Sequence, residues 1–86
     1  MPEISRFFGL IVRMFYDDHD PAHIHVEYQG RQAKIDFEGN VLAGALKSKA
    51  ALRLVRDWID LHSSELDNDW ILAREGKALE KIPPLD

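Results

Sequence analysis

The chain has 86 residues, 15 acidic and 11 basic side chains, a formal charge of −4 and no cysteine. That balance argues against a protein that coats nucleic acid with a basic surface. The missing cysteine excludes a disulfide framework and a thiolate zinc site, and it fits a reducing, cytoplasmic setting.

The length makes one domain, 1–86, the expectation. The longest apolar runs, such as Gly9-Leu10-Ile11-Val12, are too short to span a bilayer, and Met1-Pro2-Glu3 has none of the basic start of a signal peptide. No membrane role is expected.

In chain order, residues 4–16 predict a first strand, rich in Phe, Ile, Val and Tyr. Apolar residues on both sides of it predict cover on both faces. Asp17-Asp18-His19-Asp20-Pro21-Ala22 reads as a loop. Gly30-Arg31 then sits between two alternating runs and predicts a type II′ hairpin. Counting outward from that turn, Tyr28 faces Ala33, Val26 faces Ile35 and Ile24 faces Phe37 on an apolar side. Glu27 faces Lys34, His25 faces Asp36 and His23 faces Glu38 on a polar side.

Gly39-Asn40 is a second turn signal, and Val41-Leu42-Ala43 a short further strand. Ser48 is a helix N-cap candidate. Leu52, Val55 and Ile59 recur at helical spacing behind it, as do Ala51, Trp58 and His62. Ser63 or Ser64 restarts a second helix, Ser64 and Asp67 suggest an approximate capping box for it, and Leu66, Trp70 and Ala73 mark its buried stripe. Gly76 suits its end, and Ile82-Pro83-Pro84-Leu85 must lie extended. The expected fold is α+β, an antiparallel β-meander of three to four strands followed by two C-terminal helices packed on the sheet.

Three stretches carry a resemblance over nearly the whole chain. They are Phe15-Tyr16-Asp17-Asp18-His19-Asp20-Pro21-Ala22-His23-Ile24-His25-Val26, then Asp36-Phe37-Glu38-Gly39-Asn40-Val41-Leu42, and the pair Trp58 and Trp70 before Ile82-Pro83-Pro84-Leu85. Together they resemble the small prokaryotic family known as domain of unknown function 4160. The resemblance implies a short protein encoded beside another small protein, hence a partner from an adjacent gene and a toxin- or antitoxin-like role. It implies no catalytic residues.

The residues themselves nominate a polar face. His23 and His25 alternate on one strand and so point to one side. With Asp36 as the group that orients them, they form a candidate acid–base pair, the kind that cleaves RNA through its 2′-hydroxyl. With His19 and Asp17 they form a candidate divalent-metal site, since imidazole and carboxylate suit such ions. No cofactor is required by either the acid–base or the binding reading. A solvated outer sheet face explains the same pattern without chemistry.

Lys49, Arg53 and Arg56, with Lys47 before them, make a basic stripe for nucleic acid or an acidic partner, although Asp57 and Asp60 are spaced to neutralise it. Trp58 and Trp70 read as core anchors, and His62 as a cation at a helix C-terminus. Open sheet edges in so small a chain invite a partner protein or a homodimer. Two functions therefore compete. One is a protein-binding, regulatory half of a two-gene pair. The other is a small His-dependent ribonuclease or metal enzyme.

Overall fold

Five strands in the order β1-β2-β3-β4-β5 form one antiparallel sheet, followed by two helices, in a computed structural model that describes residues 2–16 and 19–86. The strands are β1 (Glu3–Phe7), β2 (Leu10–Arg13), β3 (His23–Tyr28), β4 (Arg31–Asp36) and β5 (Val41–Gly44); the helices are α1 (Lys49–Leu61) and α2 (Ser63–Arg74). The α+β class and the meander are as expected, but the sheet is wider than three to four strands.

The additional strand comes from residues 4–16, which form a hairpin and not one strand. Phe8 and Gly9, with φ of 48° and 80°, make a two-residue turn between Phe7 and Leu10. Positive φ at both central residues is the type I′ geometry, whose twist matches that of the flanking strands. Gln29 and Gly30 repeat it, with φ of 50° and 78°.

The second turn is thus centred one residue earlier than Gly30-Arg31, and glycine takes its second place, not its first. Tyr28 pairs with Arg31, Val26 with Ala33, Ile24 with Ile35, His25 with Lys34 and His23 with Asp36. The expected pairs are displaced by two residues. Because side chains alternate with a period of two, that shift preserves which residues share a face.

One face carries the core. Leu10, Val12, Met14, Ile24, Val26, Ala33 and Ile35 are buried there against Ala51, Val55, Trp58 and Ile59 of α1 and Leu66, Trp70 and Ala73 of α2. A bulge between Glu3 and Ser5 adds a residue to β1, so Ile4 and Ser5 are both buried. The other face of β2 is not covered as expected: Ile11, Arg13 and Phe15 stay half-buried.

α1 starts as anticipated, with Ser48 extended and its Oγ accepting the Ala51 N–H at 3.1 Å. α2 does not use Ser64 and Asp67 as a capping box. Only His62 separates the helices, so Ser64 already lies inside the second one. α2 ends in a Schellman arrangement: Gly76, at φ 70°, donates to the Ala73 carbonyl and Lys77 to the Leu72 carbonyl.

The tail after α2 is extended and tied down at three places. Glu80 N–H donates to Asp69 Oδ1 at 2.9 Å, Trp58 Nε1–H to the Pro83 carbonyl at 2.9 Å, and Ile82 N–H to the Ile4 carbonyl at 2.8 Å. The last bond lays the tail along β1.

Candidate functional site

Polar side chains of the meander collect on the face turned away from the helices. Directly opposed residues share a face, so the register sets Arg13, His25 and Lys34 in one row across β2, β3 and β4. Ile11, Glu27 and Gln32 form the next row. Arg13 Nη1 donates to Glu27 Oε1 at 2.9 Å, a diagonal ion pair between the rows. The Phe15 ring meets the His25 ring edge-on, with centroids 4.3 Å apart. A hollow of about 490 Å³ lies over this region, lined by Arg13, Phe15, His25, Glu27 and Gln32. A shallower one of about 230 Å³ continues past His25 to Lys34 and Ala43.

His23 and His25 do come together, with ring centroids 5.1 Å apart, yet their settings differ. His25 is half-buried on the open face. His23 is 2% exposed, with the Trp70 ring of α2 at 5.5 Å and Nδ1 2.7 Å from the Pro21 carbonyl oxygen.

Asp36 lies opposite His23 and not His25, and its carboxylate is engaged in the β4–β5 turn. Oδ1 accepts the N–H groups of Glu38 and Asn40 at 2.9 and 2.8 Å, and Oδ2 accepts Asn40 Nδ2–H at 3.1 Å. Burial pushes this carboxyl up, but the hydrogen bonds from Asn40, Glu38 and Gly39 outweigh it and hold it below the usual carboxylate range.

His19 is exposed in the loop before β3, and Asp17 lies outside the described residues. Among the described residues no three His, Asp or Glu side chains gather as metal ligands.

Lys49, Arg53 and Arg56 are all exposed on the outer face of α1. Arg56 is drawn toward the sheet, where its Nε–H donates to the Gly39 carbonyl at 2.9 Å. That bond fastens the helix to the turn that Asp36 organises. Trp58 and Trp70 are both buried anchors.

His62 stands at the end of α1, where the sequence places it, while one further group, Asp69, escapes sequence reasoning. His62, between the helices, points Nδ1 at Glu65 Oε1 at 2.8 Å. Asp69 is buried in α2, with Oδ2 lacking a hydrogen-bond partner among the described residues. Burial raises its pKa against the bond from Glu80 N–H, and the charges of Glu80 and Glu65 add to the rise. Nothing in the local pattern marks Asp69 as buried, because the tail that covers it lies beyond α2.

A family model described as domain of unknown function (DUF4160) matches residues 9–71. The chain belongs to that family. The matched stretch holds every residue named above on the open face and on the basic stripe. No curated protein matches the chain, and no solved structure does. Among the described residues no helix is long and apolar enough to cross a membrane.

Proposed function

We propose that this protein is a protein-binding, regulatory component of a two-gene module of the toxin–antitoxin kind, acting in the cytoplasm and taking a strand of its partner on the β5 edge. The contrast between the two edges of the sheet carries this reading. β1 has the usual defences of an edge: a bulge, the Glu3–Arg6 ion pair at 2.7 Å, and the tail bonded to Ile4. β5 is exposed at all four positions and carries no charge or proline. Val41 and Leu42 stand 40% and 41% exposed. Beside them lies an apolar hollow of about 400 Å³ between β5 and the start of α1, lined by Leu46 and Leu52 and rimmed by Lys47 and Lys49. An extended segment would gain main-chain hydrogen bonds from β5 and seat alternate side chains in that hollow.

The ribonuclease alternative asks for two imidazoles that reach substrate. Of the pair, only His25 stands on the open face, since Trp70 covers His23.

The test is co-expression with the product of the neighbouring gene, read by light scattering and amide hydrogen exchange. The expected result is a complex in which the amides of β5 gain protection. The Val41→Lys/Leu42→Lys variant should fold, changing stability by no more than about 1 kcal/mol for the two substitutions together, and should fail to form the complex. A complex that persists in this variant, or unchanged exchange in β5, would sink the proposal.

A further inference from the structure

We infer that the open face of the sheet is a binding site for a nucleotide, with the phosphate on the Arg13–His25–Lys34 row and the base over Phe15, against Glu27 and Gln32. The site uses the broad face of β2, β3 and β4, so it is separate from strand pairing along β5.

Charge is the first observation. Register places Arg13 and Lys34 on either side of His25, so two fixed positive groups flank the middle of the face. Lys34 forms no ion pair among the described residues. Arg13 gives Nη1 to Glu27, which occupies part of a guanidinium that has five N–H donors. The face thus offers one unneutralised ammonium and a partly engaged guanidinium that an existing ion pair holds in place. An oxyanion seated between them takes charge-assisted hydrogen bonds from both sides.

Ring chemistry is the second observation. Phe15 and His25 meet edge to face in the wall of the larger hollow, a setting in which a flat ring stacks favourably. Glu27 and Gln32 are directly opposed in register and both line that hollow. They supply a carboxylate acceptor and an amide that donates and accepts, the complement of the edge of a base or the hydroxyls of a ribose. Anion, flat ring and polar edge occur together in a nucleotide.

Size and total charge decide between one nucleotide and a long strand. The larger hollow, about 490 Å³, falls within the usual range of roughly 300–1,000 Å³ for a small-ligand site. A tract of polymer phosphates asks for an extended basic surface, whereas this chain carries a formal charge of −4. The shared chemistry is a terminal phosphate with its nucleoside, whether free or at the end of an RNA strand.

The experiment is a titration of isotope-labelled full chain, followed by amide chemical shifts. The ligands are adenosine 5′-monophosphate, uridine 5′-monophosphate, adenosine, inorganic phosphate, and a short single-stranded RNA with or without a 5′-phosphate. At least one monophosphate should give saturable shifts centred on Arg13, His25, Gln32 and Lys34, with a Kd in the millimolar range or tighter. Adenosine or phosphate alone should bind more weakly. Lys34→Ala and Arg13→Ala should each weaken binding about tenfold, with unchanged spectra elsewhere showing that the fold persists.

Tighter binding of the 5′-phosphorylated RNA than of the mononucleotide assigns the site to a strand end. Equal or weaker binding assigns it to the free nucleotide. Either result supports the shared chemistry. Absence of saturable shifts with every nucleotide and RNA, or affinities that both substitutions leave unchanged, would overturn the inference.

Discussion

Asp36 and Asp69 show how one residue type serves opposite ends of the pH scale. Turn hydrogen bonds hold the Asp36 carboxyl low against its burial. Its stabilising contribution is therefore complete above the unfolded pKa and is lost as pH falls through the folded value. Burial raises Asp69, so its contribution is complete below the unfolded pKa and is lost as pH rises through the folded one. Urea unfolding at a series of pH values should separate them. Asp36→Asn should lose stability against wild type near neutrality, with the loss shrinking in acid. Asp69→Asn should gain relative to wild type as pH rises. Difference curves that do not vary with pH would contradict both assignments.

The alternation of His23 and His25 was readable, because a shared strand face is a period-two property. The burial of His23 was not. It depends on Trp70, which arrives from a helix 47 positions later.

Among elements, the helices were the most legible. Ser48, the buried stripes and Gly76 each act within a turn or two of their own position, and the structure uses them as read. The hairpins were less so. In both I′ turns glycine follows a residue that seldom marks a turn, Phe8 in one and Gln29 in the other. In the first the surrounding apolar run concealed the break altogether.

Phe8 also has a cost. A bulky residue at φ 48° occupies a region that favours Gly, Asn and Asp. With the side chain 59% exposed, little packing offsets that strain. Phe8→Asn should therefore stabilise the protein by about 1 kcal/mol, read as a higher midpoint in thermal unfolding. A lower midpoint would show that the exposed ring has stabilising contacts. The basic stripe on α1 illustrates the reverse limit. Its spacing predicted exposure correctly, but only the fold reveals that Arg56 bonds the Gly39 carbonyl and so joins helix to turn.

At the scale of the whole molecule, the meander pairs each strand with its sequence neighbour, while the tail supplies the long-range closure. Trp58 anchors that closure through Pro83. Trp58→Phe keeps an aromatic in the core but removes the indole donor and leaves a cavity at a fully buried position, at a cost of about 2–3 kcal/mol. Its sharper signature should be local: faster amide exchange at Ile82, with the β3–β4 hairpin keeping its protection. Uniform loss of protection across the sheet would instead mean that the tail and core open as one unit.

The bond between Ile82 and Ile4 also has a consequence in time. Synthesis runs at roughly 5–20 residues per second, so β1 emerges from the ribosome several seconds before the residue that shields it. Throughout that interval the nascent hairpin presents an open rim to neighbouring chains on the same message. The bulge and the Glu3–Arg6 pair are encoded well upstream of the tail, so they can guard that rim before the tail exists.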